Sequence, residues 1–340
     1  MVESVLKKVL SDTIDTIDEL KSGYQYHREL LTQLQDRLTQ QNLYLAVVGQ
    51  VKRGKSTLLN ALIGEQILPA SIIPVTAIPT FLKYSELMKA RVVFLDSTYK
   101  EFDSDNVEAI RNFLSGYIVE KNNPKNHLNV SYVEVLLPSS LLKDNIVLID
   151  TPGIGSTYLH NTETTLNFLP QCDAALFVTS VDPPITEVEQ DFLRHLSEYM
   201  GNVYFVLNKI DYLSEDELSI TKNFMEEVLR KNGFNTEIFL VSAKNALMEK
   251  RNKVSVKTSN IEKLEMFIVG TIANRKKLMI EKSLSIKTKG ILQDIVSTID
   301  LEIKSLEFPL EEIERRFQLL KKEFLNFERE KDIIQDSLEG

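Results

Sequence analysis

The chain has 340 residues, of which 43% are apolar and 26% are charged, and its formal net charge is −9. This composition is typical of a folded globular protein and excludes collagen-like and intrinsically disordered chains. The negative charge argues against a general affinity for nucleic acid or anionic lipid. Because Cys172 is the single cysteine, no intrachain disulfide can form, and we expect a reducing, cytoplasmic environment.

Residues 1–42 are predicted to form one long helix. An apolar stripe runs from Leu6 to Leu38 in steps of four and three residues. This heptad spacing indicates that the helix packs against partner helices. Gly23 lies near the middle and costs about 1 kcal/mol relative to alanine, so we expect a bend there.

Residues 43–250 alternate between apolar runs rich in β-branched residues and helical patterns. Such alternation predicts an α/β fold in which a mostly parallel sheet is covered by helices on both faces. Two of the helices are predicted to begin with a capping box, at Thr186 with Glu189 and at Ser214 with Glu217. The predicted strands are residues 43–48, 91–95, 132–137, 146–149, 174–178, 203–207 and 238–241.

Residues 251–340 are predicted to be helical again. From Leu292 to Leu306 the apolar residues keep steps of three and four, and the same rhythm resumes beyond Pro309 and continues to Ile334. We therefore expect a helical hairpin that packs with the N-terminal helix into an elongated bundle. Since the apolar stripe runs on almost to the last residue, we expect a longer natural chain or a partner chain to supply further helices.

A phosphate-binding motif follows the first predicted strand. Residues 49–56 read GQVKRGKS, which fits GxxxxGK[ST], and they lie between a strand and a helix, as this motif requires. Loop glycines let backbone N–H groups turn toward phosphate oxygens at a helix N-terminus. We expect the Lys55 ammonium to contact the β- and γ-phosphates and the Ser56 hydroxyl to bind Mg²⁺. The nucleotide contacts expected from this loop are Gly49, Gly54, Lys55, Ser56 and Thr57.

Two further segments are predicted to complete the phosphate end of the site. Asp150 follows the strand at 146–149 and opens the sequence DTPG. Its carboxylate is predicted to hold the magnesium ion, and the N–H of Gly153 is predicted to meet the γ-phosphate. Thr76 lies in the proline-containing loop 73–80. We expect this threonine to complete the magnesium shell and to help hold the attacking water.

The base is predicted to be guanine. The strand at 203–207 runs into Asn208-Lys209-Ile210-Asp211, and a carboxylate at Asp211 can accept hydrogen bonds from guanine N1–H and N2–H₂. Adenine offers no matching donor pair and would leave the carboxylate without partners. We expect the Lys209 stem to lie over the purine ring and Asn208 to join this loop to the phosphate loop. A backbone N–H that reaches guanine O6 is predicted in the next motif, which consists of Ser242, Ala243 and Lys244.

Together these motifs resemble the GTPase domain of the dynamin superfamily, in particular that of bacterial dynamin-like proteins. The resemblance is carried by GQVKRGKSTLLNALIGEQILP, PVTAIPT, DTPGIGS, NKID and SAK and covers roughly residues 43–250. It implies Mg²⁺-dependent hydrolysis of GTP to GDP and phosphate, stimulated when the GTPase domains (G domains) of two copies meet across their nucleotides. The flanking segments, 1–42 and 251–340, resemble the neck of that family, which implies transmission of the nucleotide state toward assembly or membrane remodelling.

The resemblance also suggests a residue that stabilises charge. Lys52 occupies the loop position at which family members carry a polar or basic residue that serves the transition state. We hypothesise that it acts as an internal cation, and a solvated loop lysine is the alternative. Ile154 follows DTPG, where Ras-like switches carry a water-positioning glutamine, so Thr76 becomes the candidate for orienting water. The candidate catalytic residues are thus Lys52, Lys55, Ser56, Thr76 and Gly153.

Two other interpretations are compatible with the motifs, an Era-like switch GTPase and a slow GTP-binding structural tether. We expect no nucleic-acid partner, because the net charge is negative. Only 90 residues follow residue 250, too few for a complete stalk with a lipid-binding tip, so membrane contact is expected to be indirect. Turnover per molecule that rises with protein concentration would distinguish dimer-stimulated hydrolysis from both alternatives.

Overall fold

Nine strands form one mixed sheet in the computed structural model, which describes residues 2–20, 23–69, 78–155, 165, 168–252, 258–306 and 314–323. Their order across the sheet is β4-β3-β5-β2-β6-β1-β7-β8-β9. The strands are β1 (Leu43–Val48), β2 (Thr80–Tyr84), β3 (Lys89–Phe94), β4 (Tyr99–Asp103), β5 (Val130–Leu137), β6 (Ile146–Asp150), β7 (Ala174–Ser180), β8 (Val203–Asn208) and β9 (Ile238–Leu240).

Most strand pairs are parallel, and the parallel pairs determine where the site lies. From β6 through β1, β7 and β8 to β9 all strands run in the same direction. In the other half, β2 is antiparallel to β6, and β3 is antiparallel to both β4 and β5. The carboxyl ends of β1, β6, β7 and β8 therefore meet at one edge of the sheet, where open α/β folds bind their ligands.

Helices cover both faces of this sheet, as β1 illustrates. Leu43, Leu45 and Val47 belong to the apolar core on one face, and Ala46 and Val48 belong to the core on the other. Burial on both faces explains the continuous apolar runs, and the predicted α/β fold class is confirmed. The helices here are α3 (Lys55–Ile63), α4 (Val107–Ile118), α5 (Glu187–Tyr199), α6 (Glu215–Lys231) and α7 (Ala243–Asn252), and α5 and α6 begin with the two predicted capping boxes.

The sequence pattern misses two strands, β2 and β4. β2 directly follows the proline-containing loop, and its five residues are too few to establish a pattern beside those prolines. β4 is an edge strand with four of its five side chains exposed. It pairs with β3, and Phe102 stacks on Phe113 of α4 with 5.0 Å between the ring centroids. A strand with a single half-buried side chain produces no apolar run, so it carries no periodic signal.

The N-terminal segment forms two helices, α1 (Val2–Glu19) and α2 (Gln25–Gln40), and not the predicted single helix. The chain reverses near Gly23, and an ion pair of 2.5 Å between Asp18 and Arg28 joins the helices beside the reversal. The apolar stripe explains the difference. Leu10 and Leu31, one on each helix, are both fully buried in the same core. A hairpin buries both halves of the stripe, whereas one straight helix would need a partner along its whole length.

A long helix, α9 (Ala273–Leu306), completes a three-helix bundle with α1 and α2. The chain reaches it through α8 (Ile261–Met266) and a π-helical turn (Phe267–Ile272). Polar contacts follow the length of the bundle: Glu3 with Lys277 at 2.6 Å, His27 with Asp294 at 2.8 Å, and Tyr24 with Glu302 at 3.0 Å.

Beyond α9 the described chain contains one more helical stretch, residues 314–323. The predicted break at Pro309 and the final residues 324–340 lie outside the described residues. Among the helices that the structure describes, none combines the length and the apolar character needed to cross a bilayer.

A buried carboxylate joins the bundle to the sheet. Asp173, the residue before β7, is 1% exposed and accepts hydrogen bonds from Arg37 of α2 at 2.7 and 2.8 Å and from the N–H of Tyr44 at 2.9 Å. Lys287 of α9 lies 3.6 Å from the same carboxylate. Burial lowers the pKa of Lys287 to about 8, against the opposing effect of Asp173. One anion thus holds two helices of the bundle against the end of a central strand.

Candidate nucleotide-binding site

The phosphate loop, residues 49–56, turns from β1 into α3 at the carboxyl edge of the sheet. Gly49 has φ +149°, and a Cβ at this position would lie 2.2 Å from the carbonyl oxygen of Val178 on β7. No side chain fits there, so the close approach of the loop to β7 requires glycine. Gly54 precedes the first residue of α3 in the left-handed region, with φ +92°. The loop therefore ends at a helix N-terminus whose first N–H groups are available to an anion.

The Lys55 ammonium lies inside this loop. It donates hydrogen bonds to the carbonyl oxygens of Gly49 at 2.9 Å and Gln50 at 3.3 Å. Burial lowers the pKa of Lys55 to about 8, although the carboxylates of Asp150 and Glu189 act in the opposite direction. A phosphate group placed in the loop would supply the missing negative charge and favour the protonated form.

Ser56 and Asp150 form a set of oxygen ligands suited to magnesium. The Ser56 hydroxyl donates to a carboxylate oxygen of Asp150 at 2.6 Å, because the first turn of α3 faces the end of β6. Hydroxyl and carboxylate oxygens beside a phosphate site are the donors that Mg²⁺ prefers. The residues present therefore fit the ion. Thr76, the third predicted ligand, lies outside the described residues.

The DTPG segment lies directly against the phosphate loop. The N–H of Ile154 donates to the Gly49 carbonyl at 3.2 Å, and the N–H of Val51 donates to the Ile154 carbonyl at 3.3 Å. A Cβ at Gly153 would lie 2.4 Å from the Val51 side chain, so only glycine permits this approach. The two loops that are predicted to contact the γ-phosphate, through Lys55 and Gly153, are thus in backbone contact.

Asn208 connects the predicted base-recognition segment, residues 208–211, to the phosphate loop. Its side-chain N–H donates to the Arg53 carbonyl at 2.9 Å, which is the connection that the sequence predicts. Its side-chain oxygen accepts the N–H of Ala243 at 3.0 Å and that of Lys209 at 2.8 Å. A single side chain, 2% exposed, therefore fixes the spacing of three loops.

Asp211 is exposed at the other end of the site and is oriented by Ser242. The Ser242 hydroxyl donates to Asp211 Oδ1 at 2.6 Å, and its own N–H donates to the carbonyl of Ser259 at 2.9 Å. Lys209, between Asn208 and Asp211, has φ +65°, and burial is the main cause that lowers its pKa. The structure thus brings the predicted guanine-recognition residues together and holds the Asp211 carboxylate at the protein surface.

Comparisons with known proteins agree with this geometry. The sequence profile of the dynamin family matches residues 45–211. An uncharacterised protein from Caldicellulosiruptor is 34% identical over 298 aligned residues, covering 86% of this chain and 72% of that protein. Dynamin-like protein 2 of Campylobacter jejuni is 32% identical over 228 aligned residues, covering 67% of this chain and 34% of that protein. This chain belongs to the dynamin family.

A solved structure shares the dynamin fold. It is a chain from a structure described as an oligomerised bacterial dynamin pair, with a TM-score of 0.55 and 21% identity, covering 99% of this chain and 54% of that chain. The dynamin-like relatives extend well beyond this chain, which spans about a third of the Campylobacter protein and about half of the solved one. Dynamin family members are GTPases, and the loops described above are the candidate nucleotide site of this chain.

Three of the predicted site residues are exposed or half-buried. Lys52 is exposed and has φ +68°. Lys244 is exposed, and Thr57 is half-buried in the first turn of α3. The roles that the sequence assigns to these residues stay predictions.

Sequence reasoning missed Arg53 and Glu189 as residues of the site. Arg53 is one of the four variable positions of the loop motif, yet it is 4% exposed and pairs with Glu189 at 2.7 Å. The sequence identifies Glu189 only as the capping residue of a helix. A pair separated by 136 residues leaves no periodic trace, so only the folded chain reveals it.

Proposed function

We propose that this chain binds Mg-GTP and hydrolyses it to GDP and phosphate. The observation that carries the proposal is the hydrogen-bonded connection from the phosphate loop through Asn208 to the loop that orients Asp211. It holds a phosphate-binding end and a purine-binding end in one site. A nucleotide that contacts both ends would gain affinity from each.

At the phosphate end, Lys55, Ser56 and Asp150 are proposed to bind the triphosphate and its metal. Ser56 and Asp150 would hold the ion, and a bound Mg²⁺ would neutralise charge on the β- and γ-phosphate oxygens. The Lys55 ammonium would exchange its two carbonyl acceptors for phosphate oxygens. The N–H of Gly153 would meet the γ-phosphate once the DTPG segment moves from its contact with Val51.

At the base end, Asp211 is proposed to select guanine. The Ser242 hydroxyl donates to Oδ1 of Asp211, and Oδ2 is the other carboxylate oxygen. The two donors on guanine N1 and N2 match the oxygens of a carboxylate held in this orientation. Adenine would bring an acceptor to the same place, and an unpaired polar group in a binding site costs on the order of 10⁴-fold in discrimination.

For the chemical step, Lys52 is proposed to stabilise transition-state charge and Thr76 to orient the attacking water. The support for Lys52 is its exposed side chain beside the phosphate-binding backbone. Removing a group that stabilises developing charge lowers kcat by about 10²- to 10³-fold. Lys52→Ala is expected to do so at saturating GTP, and Lys231→Ala, an exposed lysine on α6, serves as the matched control. Equal turnover of Lys52→Ala and wild type would remove Lys52 from the mechanism.

Hydrolysis is proposed to be stimulated by association of two G domains. The support is twofold: the base-recognition carboxylate and Lys52 open to the surface, and the matched solved chain comes from an oligomerised dynamin pair. Beside Asp211, Tyr212 is 65% exposed and offers an apolar surface next to the proposed base site. Further self-assembly through the helices is proposed on the same grounds.

The helical bundle is proposed to respond to the nucleotide state. The support is the Asp173 junction, which joins α2 and α9 to β7, a strand that also contacts the phosphate loop at Gly49.

We propose that residues 1–42 form part of the neck, residues 43–250 the G domain, and residues 251–340 the rest of the neck with a partial stalk. We also propose a cytoplasmic location with indirect membrane contact. The support is that the similar solved chain belongs to a bacterial dynamin pair described as sensing and tethering membranes over long range.

Turnover per molecule, measured over a range of protein concentrations, tests the proposal. We expect phosphate release from GTP to rise more than linearly with protein concentration, because association of G domains completes the site. A slow rate that does not depend on concentration would contradict dimer stimulation and favour the switch or the tether. Absence of turnover in the presence of bound Mg-GTP would contradict the hydrolase itself.

A further inference from the structure

The guanidinium group of Arg53 is buried within the walls of the phosphate loop. Nε and Nη2 donate to the two carboxylate oxygens of Glu189 at 2.8 and 2.7 Å, which makes a bidentate pair. Nη1 donates to the Ser180 hydroxyl at 2.7 Å and to the Pro183 carbonyl at 2.8 Å. All three nitrogens are therefore used inside the protein, and Arg53 cannot reach a phosphate as a mobile cation.

Glu189 is fixed as firmly as its partner. It is fully buried at the third position of α5, where its carboxylate accepts the N–H of Thr186 at 2.9 Å and closes the capping box. The same oxygen accepts from Arg53. The first turn of α5 is thus a rigid support, and the arginine ties the phosphate loop to it.

The backbone of Arg53 is held from a second direction. Its carbonyl accepts from Asn208, so the residue joins the phosphate loop to the base-recognition loop as well as to α5. The flanking residues both have positive φ, +68° at Lys52 and +92° at Gly54. Positive φ is uncommon for a non-glycine residue such as Lys52, and contacts of neighbouring residues can hold it there. The anchored arginine between them supplies such contacts.

We propose that Arg53 is a positioning residue, and that its ion pair with Glu189 holds the phosphate loop in the conformation that grips the β-phosphate. This inference rests on the proposed function, since it assumes that the loop binds nucleotide phosphates. Because the β-phosphate is present in both GDP and GTP, loss of the pair weakens both ligands by the same factor. The defect then lies in KM and Kd, whereas kcat at saturating GTP changes little.

Glu189→Gln removes the charge and keeps the side-chain length, and its amide oxygen can still cap Thr186. In enzymes, a misplacement of about 1 Å lowers the reaction rate up to about 100-fold, and we expect a loss of similar size in phosphate affinity when the loop is misplaced. We expect the Kd of fluorescently labelled GDP to rise about 10- to 100-fold, and that of a non-hydrolysable GTP analogue to rise equally. Glu217→Gln is the matched control: it is the same substitution at the same capping-box position of α6, where Glu217 accepts from Ser214 and pairs with no arginine among the residues that the structure describes. Its nucleotide affinity is expected to stay within twofold of wild type.

The double variant Arg53→Met/Glu189→Met separates positioning from stability. Replacing both members of a buried ion pair with apolar residues often leaves stability unchanged or raises it. If the directional bonds position the loop, the double variant melts like wild type and still binds GDP about 10- to 100-fold more weakly. Recovery of GDP affinity together with stability would overturn the inference, as would wild-type affinity in folded Glu189→Gln. Wild-type protein that binds no guanine nucleotide would contradict the proposed function first and this inference with it.

Discussion

Proton uptake by Lys55 on nucleotide binding is the prediction that the structure makes most sharply. Without a ligand, burial lowers the pKa of this lysine to about 8 from its ordinary 10.5. At pH 9 about nine in ten molecules therefore carry a neutral Lys55, and at pH 7 about one in ten does. A bound diphosphate lies against the amine and favours its charged form, so the pKa of Lys55 returns toward its ordinary 10.5 in the complex.

The sign and size of the effect follow from linkage. Between the free and bound pKa values the complex holds one more proton than the free protein, so affinity falls as pH rises. From pH 7 to pH 9 the Kd for GDP is expected to increase about tenfold, and binding at pH 9 is expected to take up close to one proton per site.

Calorimetry in buffers of different ionisation enthalpy measures this uptake directly. The slope of observed enthalpy against buffer enthalpy gives the number of protons, which we expect to be close to one at pH 9 and about 0.1 at pH 7. Lys287→Met is the control, since Lys287 has a similarly lowered pKa but lies at the bundle junction. Its variant should show the same uptake as wild type. A slope of zero at pH 9 would refute proton uptake by Lys55 on phosphate binding.

Three further substitutions test separate parts of the account. Ser56→Ala removes the hydroxyl that contacts Asp150, so the gain in GTP affinity on adding Mg²⁺ should fall at least about tenfold, measured by titration with and without the metal. Asp211→Asn offers an amide donor and should transfer preference from GTP to xanthosine triphosphate, whose C2 carbonyl accepts it; unchanged preference would contradict base recognition by Asp211. Asp173→Asn leaves two largely buried cations without their shared carboxylate and should cost about 3–5 kcal/mol of stability in urea unfolding. Asp18→Asn on the exposed pair should change stability little.

The motifs of the phosphate and guanine loops could be predicted because their chemistry is local. In residues 49–56 and 208–211 the turn, the charge and the strand end lie within a few positions of one another, and the structure brings these segments together. Apolar runs predicted most strands for the same reason, since burial on both faces leaves a continuous signal in the chain.

The features that sequence reasoning missed depend on contacts between distant residues. β4 is a strand only because β3 pairs with it, and the N-terminal hairpin forms because two halves of one stripe pack together. The anchor between Arg53 and Glu189 joins a loop to a helix cap 136 residues away. Local propensity carries no information on such pairs, because many arginines and glutamates of the chain would satisfy the same chemistry.

Calorimetric titration of the purified chain with Mg-GTP and Mg-ATP tests the central claim most directly. The account predicts that GTP and GDP bind at one site per chain, with ATP weaker by about 10⁴-fold, because Asp211 meets the right donors only on guanine. Equal or tighter binding of ATP, or binding of neither nucleotide, would contradict it.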